Sequence, residues 1–132
     1  MNYKEEISSK TPGIEFDKDK GALKIYGRSL PENASEFYKP LFDELEAYKD
    51  KPQATTKVEL ALEYFNTSSS RMILDILRSL SWISQNGKTD LEIIWYFEKD
   101  DWDMEDAGKE YQQILSDLKF NLEELELFEH RK

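Results

Sequence analysis

The stretch Glu63-Tyr64-Phe65-Asn66-Thr67-Ser68-Ser69-Ser70-Arg71 joins two different backbone periodicities. Upstream, Val58, Leu60, Leu62 and Tyr64 alternate with Glu59, Ala61 and Glu63, the period of two expected of a strand with one buried face. Downstream, Met72, Ile73, Ile76, Leu77, Leu80 and Ile83 recur at helical spacing. A strand therefore passes through a short turn into a helix, and the four hydroxyl residues Thr67 to Ser70 fall at that helix's N-terminus.

Working outward, Asn86-Gly87 is a helix stop, because Gly accepts the left-handed conformation that closes a C-terminus. Beyond it Leu91, Ile93, Trp95 and Phe97 alternate with Glu92, Ile94, Tyr96 and Glu98. Ile94 and Tyr96 make the second face apolar as well, which predicts the central strand of a sheet. Asp100, Asp101, Asp103, Glu105 and Asp106 then surround Trp102 and open a helix bearing Ala107, Tyr111, Ile114, Leu115 and Leu118. The segment from Phe120 to Phe128 changes phase at Glu123-Glu124, predicting a bulge or a strand that ends early, and His130, Arg131 and Lys132 form a short exposed tail.

Toward the N-terminus, Ile14 to Phe16 and Ala22 to Tyr26 flank Asp17-Lys18-Asp19-Lys20-Gly21, the pattern of a β-hairpin. Met1 to Pro12 is polar and reads as a loose segment. Asn33 with Glu36 forms a capping box for a helix that carries Phe37, Leu41, Leu45 and Tyr48 on one face, with Pro40 in its first turn or kinking it. The order β-β-α-β-α-β-α-β predicts a single α/β domain over residues 1–132, a sandwich of helices on a mixed sheet with an N-terminal hairpin and right-handed parallel crossovers.

The formal net charge of −10 argues against nucleic acid or an anionic membrane as partner, and toward a protein with a basic patch. Cysteine is absent, which removes disulfides, thiolate nucleophiles and Cys-ligated metals, and suits a reducing cytoplasm. Met1 to Glu6 lacks the apolar core of a signal peptide, and no stretch approaches the roughly 20 apolar residues of a membrane helix. The one His is His130, and no GxxxxGK[ST] phosphate loop occurs, so a nucleophile with its base is not evident and no cofactor is implied.

Two sites remain. Asn66 or Thr67 reads as an N-cap, whose side-chain oxygen would stabilise the helix by about 1 kcal/mol. Thr67 also reads as a phosphoacceptor, because phosphate at a helix N-terminus meets unpaired N–H groups, the positive end of the macrodipole and Arg71. The Asp100 to Asp106 loop reads as a dipole-compensating helix start or, alternatively, as a receiver-like or Mg²⁺-binding site. If the strands at 58–65 and 91–97 are parallel neighbours, Thr67 and that loop share the ligand edge of the sheet. Trp102, between Asp101 and Asp103, is a candidate exposed interface anchor.

The residues from Tyr64 to Arg71, with Trp95-Tyr96-Phe97-Glu98 and Asp103-Met104-Glu105-Asp106-Ala107-Gly108, resemble the SiaC family of bacterial regulatory phosphoproteins. Gly27-Arg28-Ser29, Pro31-Glu32-Asn33 and Phe37-Tyr38 are similar to that family's early segment, so the resemblance covers nearly the whole chain. It implies a STAS-like fold and a non-enzymatic switch phosphorylated on the Thr of the NTSSS motif, here Thr67. It further implies a Ser/Thr kinase and a PP2C-type phosphatase as partners. The unphosphorylated form would activate an effector such as a diguanylate cyclase, in cyclic di-GMP and biofilm control. Asn66, Ser68, Ser69, Ser70, Arg71, Asp101, Trp102 and Asp103 are the expected partner-binding residues, and Arg71 replaces the Lys expected in many relatives. A constitutive scaffold with a plain helix cap is the simpler alternative.

Overall fold

The computed structural model describes residues 2–125. Its elements run β1 (Asn2–Glu5), β2 (Gly13–Asp17), β3 (Ala22–Ser29), α1 (Ala34–Tyr48), β4 (Thr55–Phe65), α2 (Thr67–Gln85), β5 (Asp90–Glu98), α3 (Trp102–Ile114) and β6 (Lys119–Leu125). All six strands form one sheet in the order β1-β2-β3-β4-β5-β6. β1, β2 and β3 are antiparallel neighbours, whereas β3 to β6 are parallel. The mixed sheet with its opening hairpin is as expected from the sequence.

Because the parallel strands follow one another in sequence order, right-handed crossovers bring α1, α2 and α3 to the same face. One core forms there. Ile14, Phe16, Leu23, Ile25, Val58, Leu60, Leu62, Ile93 and Trp95 point into it from alternate strand positions, and meet Tyr38, Leu41 and Leu45 of α1, Ile73, Ile76 and Leu80 of α2, and Met104 and Tyr111 of α3. Among the described residues no helix is long and apolar enough to cross a membrane.

Several expectations are corrected. The segment read as loose contains β1, with Tyr3 opposite Phe16, and Leu30 N–H reaches the Lys10 carbonyl at 2.7 Å. An edge strand buries little, so its polar composition hides it. β5 lies beside β6, one strand from the edge, and not at the middle. Its two-sided apolarity reflects neighbours on both sides, not rank in the sheet. β6 keeps an even register with β5 through Leu125, so of the two readings of Glu123-Glu124 the bulge is not found, while the segment beyond Leu125, with the predicted tail at 130–132, lies outside the described residues.

The bulge sits instead in β4, where Gly27 pairs with Leu62 and Arg28 with Tyr64, leaving Glu63 as the extra residue. The strand's phase therefore flips. Tyr64, expected to share the buried face of Leu62, is 52% exposed, while Phe65 turns inward against the Trp95 ring at 6.1 Å. Pro40 lies in the second turn of a helix that continues through it, on the exposed side. The predicted stop after α2 closes as a Schellman motif, with Gly87 N–H on the Ser84 carbonyl and Lys88 N–H on the Ile83 carbonyl, Gly87 having φ +72°.

A tight approach holds α3 to the sheet. A Cβ on Gly108 would run into the Trp95 ring and lie 2.9 Å from Leu122. Gly108→Ala is therefore expected to lower the unfolding free energy by about 1–3 kcal/mol in urea titration, through overpacking, although alanine is the better helix former.

Candidate functional site

The parallel register brings the C-terminal ends of β3, β4 and β5 to one edge, where all three helices begin. Each helix starts in the same way. Asn33 Oδ1 accepts from Glu36 N–H at 3.1 Å, Asn66 Oδ1 from Ser69 N–H at 2.9 Å and Asp101 Oδ1 from Met104 N–H at 3.1 Å. Three macrodipoles thus present their positive ends on one edge. Asn66 is the cap of α2, and Thr67 is its first helical residue. Asn66 is also tied to the strand behind it, its N–H donating to the Ser29 carbonyl at 3.0 Å and its Nδ2 to the Pro31 carbonyl at 3.4 Å.

This geometry sorts the four hydroxyls. Ser68 Oγ donates to Asn66 Oδ1 at 3.2 Å, and Ser70 Oγ donates to the Thr67 carbonyl at 2.7 Å. Ser69 is fully buried in a relay in which Ser29 Oγ, 2.6 Å from the Tyr38 hydroxyl, donates to Ser69 Oγ at 2.8 Å, and Ser69 Oγ donates to the Ser29 carbonyl at 3.1 Å. Thr67 is exposed, and its hydroxyl has no partner among the described residues. Ser69, expected among the partner-binding residues, is a hydroxyl sealed beneath the edge.

Arg71 stands one helical turn beyond Thr67 on the same face, exposed, with Nε 3.8 Å from Asp75 Oδ2. That pair is long and solvated, so the guanidinium is weakly held. Tyr111 of α3 closes the other side, its hydroxyl donating to the Ser70 carbonyl at 2.8 Å. Burial raises the hydroxyl pKa of Tyr38 to about 12 and pushes that of Tyr111 upward too, so both remain neutral donors at physiological pH.

The acidic loop is built as a turn and a cap. Asp100 takes φ 69°, Asp101 N–H returns to the Glu98 carbonyl at 3.0 Å, and Asp103 and Glu105 stand in the first turn of α3. Among the described residues no three Asp, Glu or His side chains converge on a point where a metal could sit, so the Mg²⁺ reading finds no donor set. Trp102 is 71% exposed, as its acidic flanks suggested. The sequence reading missed Ser29, Tyr38 and Tyr111 as supports. Only Ser29, in phase with the buried Leu23 and Ile25, carried a signal for this.

Fold and site together define an α/β domain that displays one free hydroxyl at the N-terminus of a rigid helix. The sequence profile of the SiaC family regulatory phosphoproteins matches residues 5–125, and the chain belongs to that family. An uncharacterised protein of Pseudomonas aeruginosa (strain UCBPP-PA14) is 29% identical over 106 residues, spanning 80% of this chain and 83% of its own. The structure of SiaC of Pseudomonas aeruginosa superposes with a TM-score of 0.81 at 25% identity, covering 95% of this chain and 99% of that one. SiaC in complex with the diguanylate cyclase SiaD, which it activates, gives a TM-score of 0.80 at 26% identity, covering 92% and 97%.

Two measurements check the assignments. In thermal or urea unfolding, Ser69→Ala is expected to cost about 1–3 kcal/mol by stranding Ser29 and Tyr38, and Asn66→Ala about 1 kcal/mol, whereas Thr67→Ala stays within about 0.5 kcal/mol. Tyr38 contributes a pH dependence: its folded pKa is raised above the unfolded value of 10, so its contribution is intact below pH 10 and lost as pH rises toward 12. Stability measured from pH 9 to 12 should fall, and more steeply than in Tyr38→Phe.

Proposed function

We propose that this chain is a phosphorylation-controlled, non-enzymatic activator of a diguanylate cyclase, acting in the cytoplasm. Thr67 is the acceptor, modified by a Ser/Thr kinase and restored by a PP2C-type phosphatase. The observation that carries the reading is the free hydroxyl of Thr67 beside three hydroxyls that are already engaged. The cyclase partner follows from the family and from what SiaC does in its complex with SiaD.

A phosphate on Thr67 would carry nearly two negative charges beside the N–H groups of Thr67 and Ser68, which have no partner among the described residues. It would draw Arg71 away from Asp75 and compete with Asn66 for Ser69 N–H. The unphosphorylated edge, with Ser68, Arg71, Asp101, Trp102 and Asp103 around Thr67 and with Asn66 and Ser70 shaping its floor, is the surface offered to the cyclase. Modification converts that surface into one whose dianion must keep its water, so docking becomes unfavourable.

Intact-mass and peptide mapping of the chain from its native host should find phosphate on the peptide containing Asn66 to Arg71, and none after Thr67→Ala. In binding assays with the host's diguanylate cyclase, the unmodified chain and Thr67→Ala should bind and activate, while the phosphorylated chain and Thr67→Glu lose at least tenfold in affinity, a change of about 1.4 kcal/mol. Equal affinity of the phosphorylated and unmodified chains would refute the reading.

A further inference from the structure

Trp82 lies 15 residues after Thr67 on α2, about 22 Å along the helix at 1.5 Å per residue. It is 47% exposed although it is a large aromatic, and Ile114, at the end of α3, is 51% exposed. The two border one groove of about 300 Å³ between the C-terminal halves of the two helices, which Arg78, Gln85, Leu118 and Asp117 also line. α2 and α3 follow parallel strands by crossovers of the same hand and so run in the same direction, which shapes the groove like the seam between two helices of a bundle.

Cations gather at this end of a chain whose net charge is −10. The Lys49 and Lys88 ammonium groups stand 5.0 and 5.7 Å from the centre of the Trp82 ring. Lys88 Nζ also donates to the Lys49 carbonyl at 3.4 Å, which holds it at the ring. The Arg78 side chain is exposed and has no ion-pair partner among the described residues. Against these three cations stand Asp117 in the lining and Glu46, 2.7 Å from Lys49, so the local balance is +1.

Trp and Arg are among the residue types enriched at interface hot spots, and Trp82 and Arg78 are both exposed one turn apart on α2. A groove between two helices takes a third helix through its apolar ridge. We infer that this groove is a second docking surface, and that its partner is an amphipathic helix whose apolar ridge covers Trp82 and Ile114 and whose acidic flank meets Arg78 and Lys88. The surface is separate from the Thr67 edge. At about 22 Å it lies beyond two screening lengths at physiological salt, so a phosphate on Thr67 leaves it unchanged. The chain can therefore hold one partner constitutively while the other is switched.

The test is selection from a displayed library of randomised helical peptides against the full unphosphorylated chain. Enrichment of acidic amphipathic sequences is expected, with a blue shift in tryptophan fluorescence on binding. Affinity should fall about tenfold or more in Trp82→Ala and Arg78→Glu, and stay within about twofold in Thr67→Glu. Both altered side chains are exposed, so the variants should melt near the parent temperature; if Trp82→Ala does not, Ile114→Glu serves in its place. Absence of enrichment, enrichment of basic peptides, or binders indifferent to both groove substitutions would overturn the proposal. Loss of binding in Thr67→Glu would overturn the independence of the two surfaces.

Discussion

Trp95 has no exposed surface, and its indole N–H donates to the Met104 carbonyl at 3.0 Å. Around its ring stand Phe65 of β4, Tyr111 of α3 and Phe120 of β6, at centroid distances of 6.1, 5.2 and 6.5 Å. Gly108 is small because this ring fills the space where a Cβ would go. The position of α3 thus depends on one side chain. Through Tyr111, which packs on Trp95 and donates to the Ser70 carbonyl, so does the support of the first turns of α2. Aromatic pairs of this kind contribute about 0.5–1.5 kcal/mol each beyond their buried area, which is enough to hold an edge built from three helix starts.

At that edge, hydrogen-bond satisfaction decides which hydroxyl is chemically available. Extracting Ser69 would strand a buried relay at about 1–3 kcal/mol, and losing the Asn66 cap would cost about 1 kcal/mol. Ser68 and Ser70 give up weaker bonds near the surface. Thr67 gives up none, so its modification carries the smallest structural penalty of the four. The acidic side chains nearby serve the backbone first: Asp101 caps α3 and Asp103 and Glu105 sit against its dipole. Their charge lies on the same sheet edge as Thr67.

The two ends of α2 differ in kind. Its start combines N–H groups without a partner among the described residues with an exposed hydroxyl, on the sheet edge that also carries the acidic start of α3. Its end combines Trp82 with Lys49, Lys88 and Arg78, and is closed by a Schellman turn that leaves little for a charge to rearrange. One rigid helix separates them, so each can be read by a partner without the other.

Much of this was determined by the chain itself. The alternation in 58–62 and 91–97, the helical spacing after Arg71, the caps Asn33, Asn66 and Asp101 and the stop at Gly87 are local patterns, because strand and helix periods and cap chemistry act over a few residues. The shared edge follows from β4 and β5 being parallel neighbours. Tertiary structure alone decided the rest. β1 is recognisable only by pairing with β2, since a polar edge strand has no burial to mark it. The bulge after Leu62 depends on register with β3, and it is what exposes Tyr64 and turns Phe65 toward Trp95. Ser68 and Ser70 are engaged within the turn itself, but the sealing of Ser69 rests on Ser29 and Tyr38, 40 and 31 residues away from it. Contacts at such separations are set by how the layers pack, and no local periodicity encodes them.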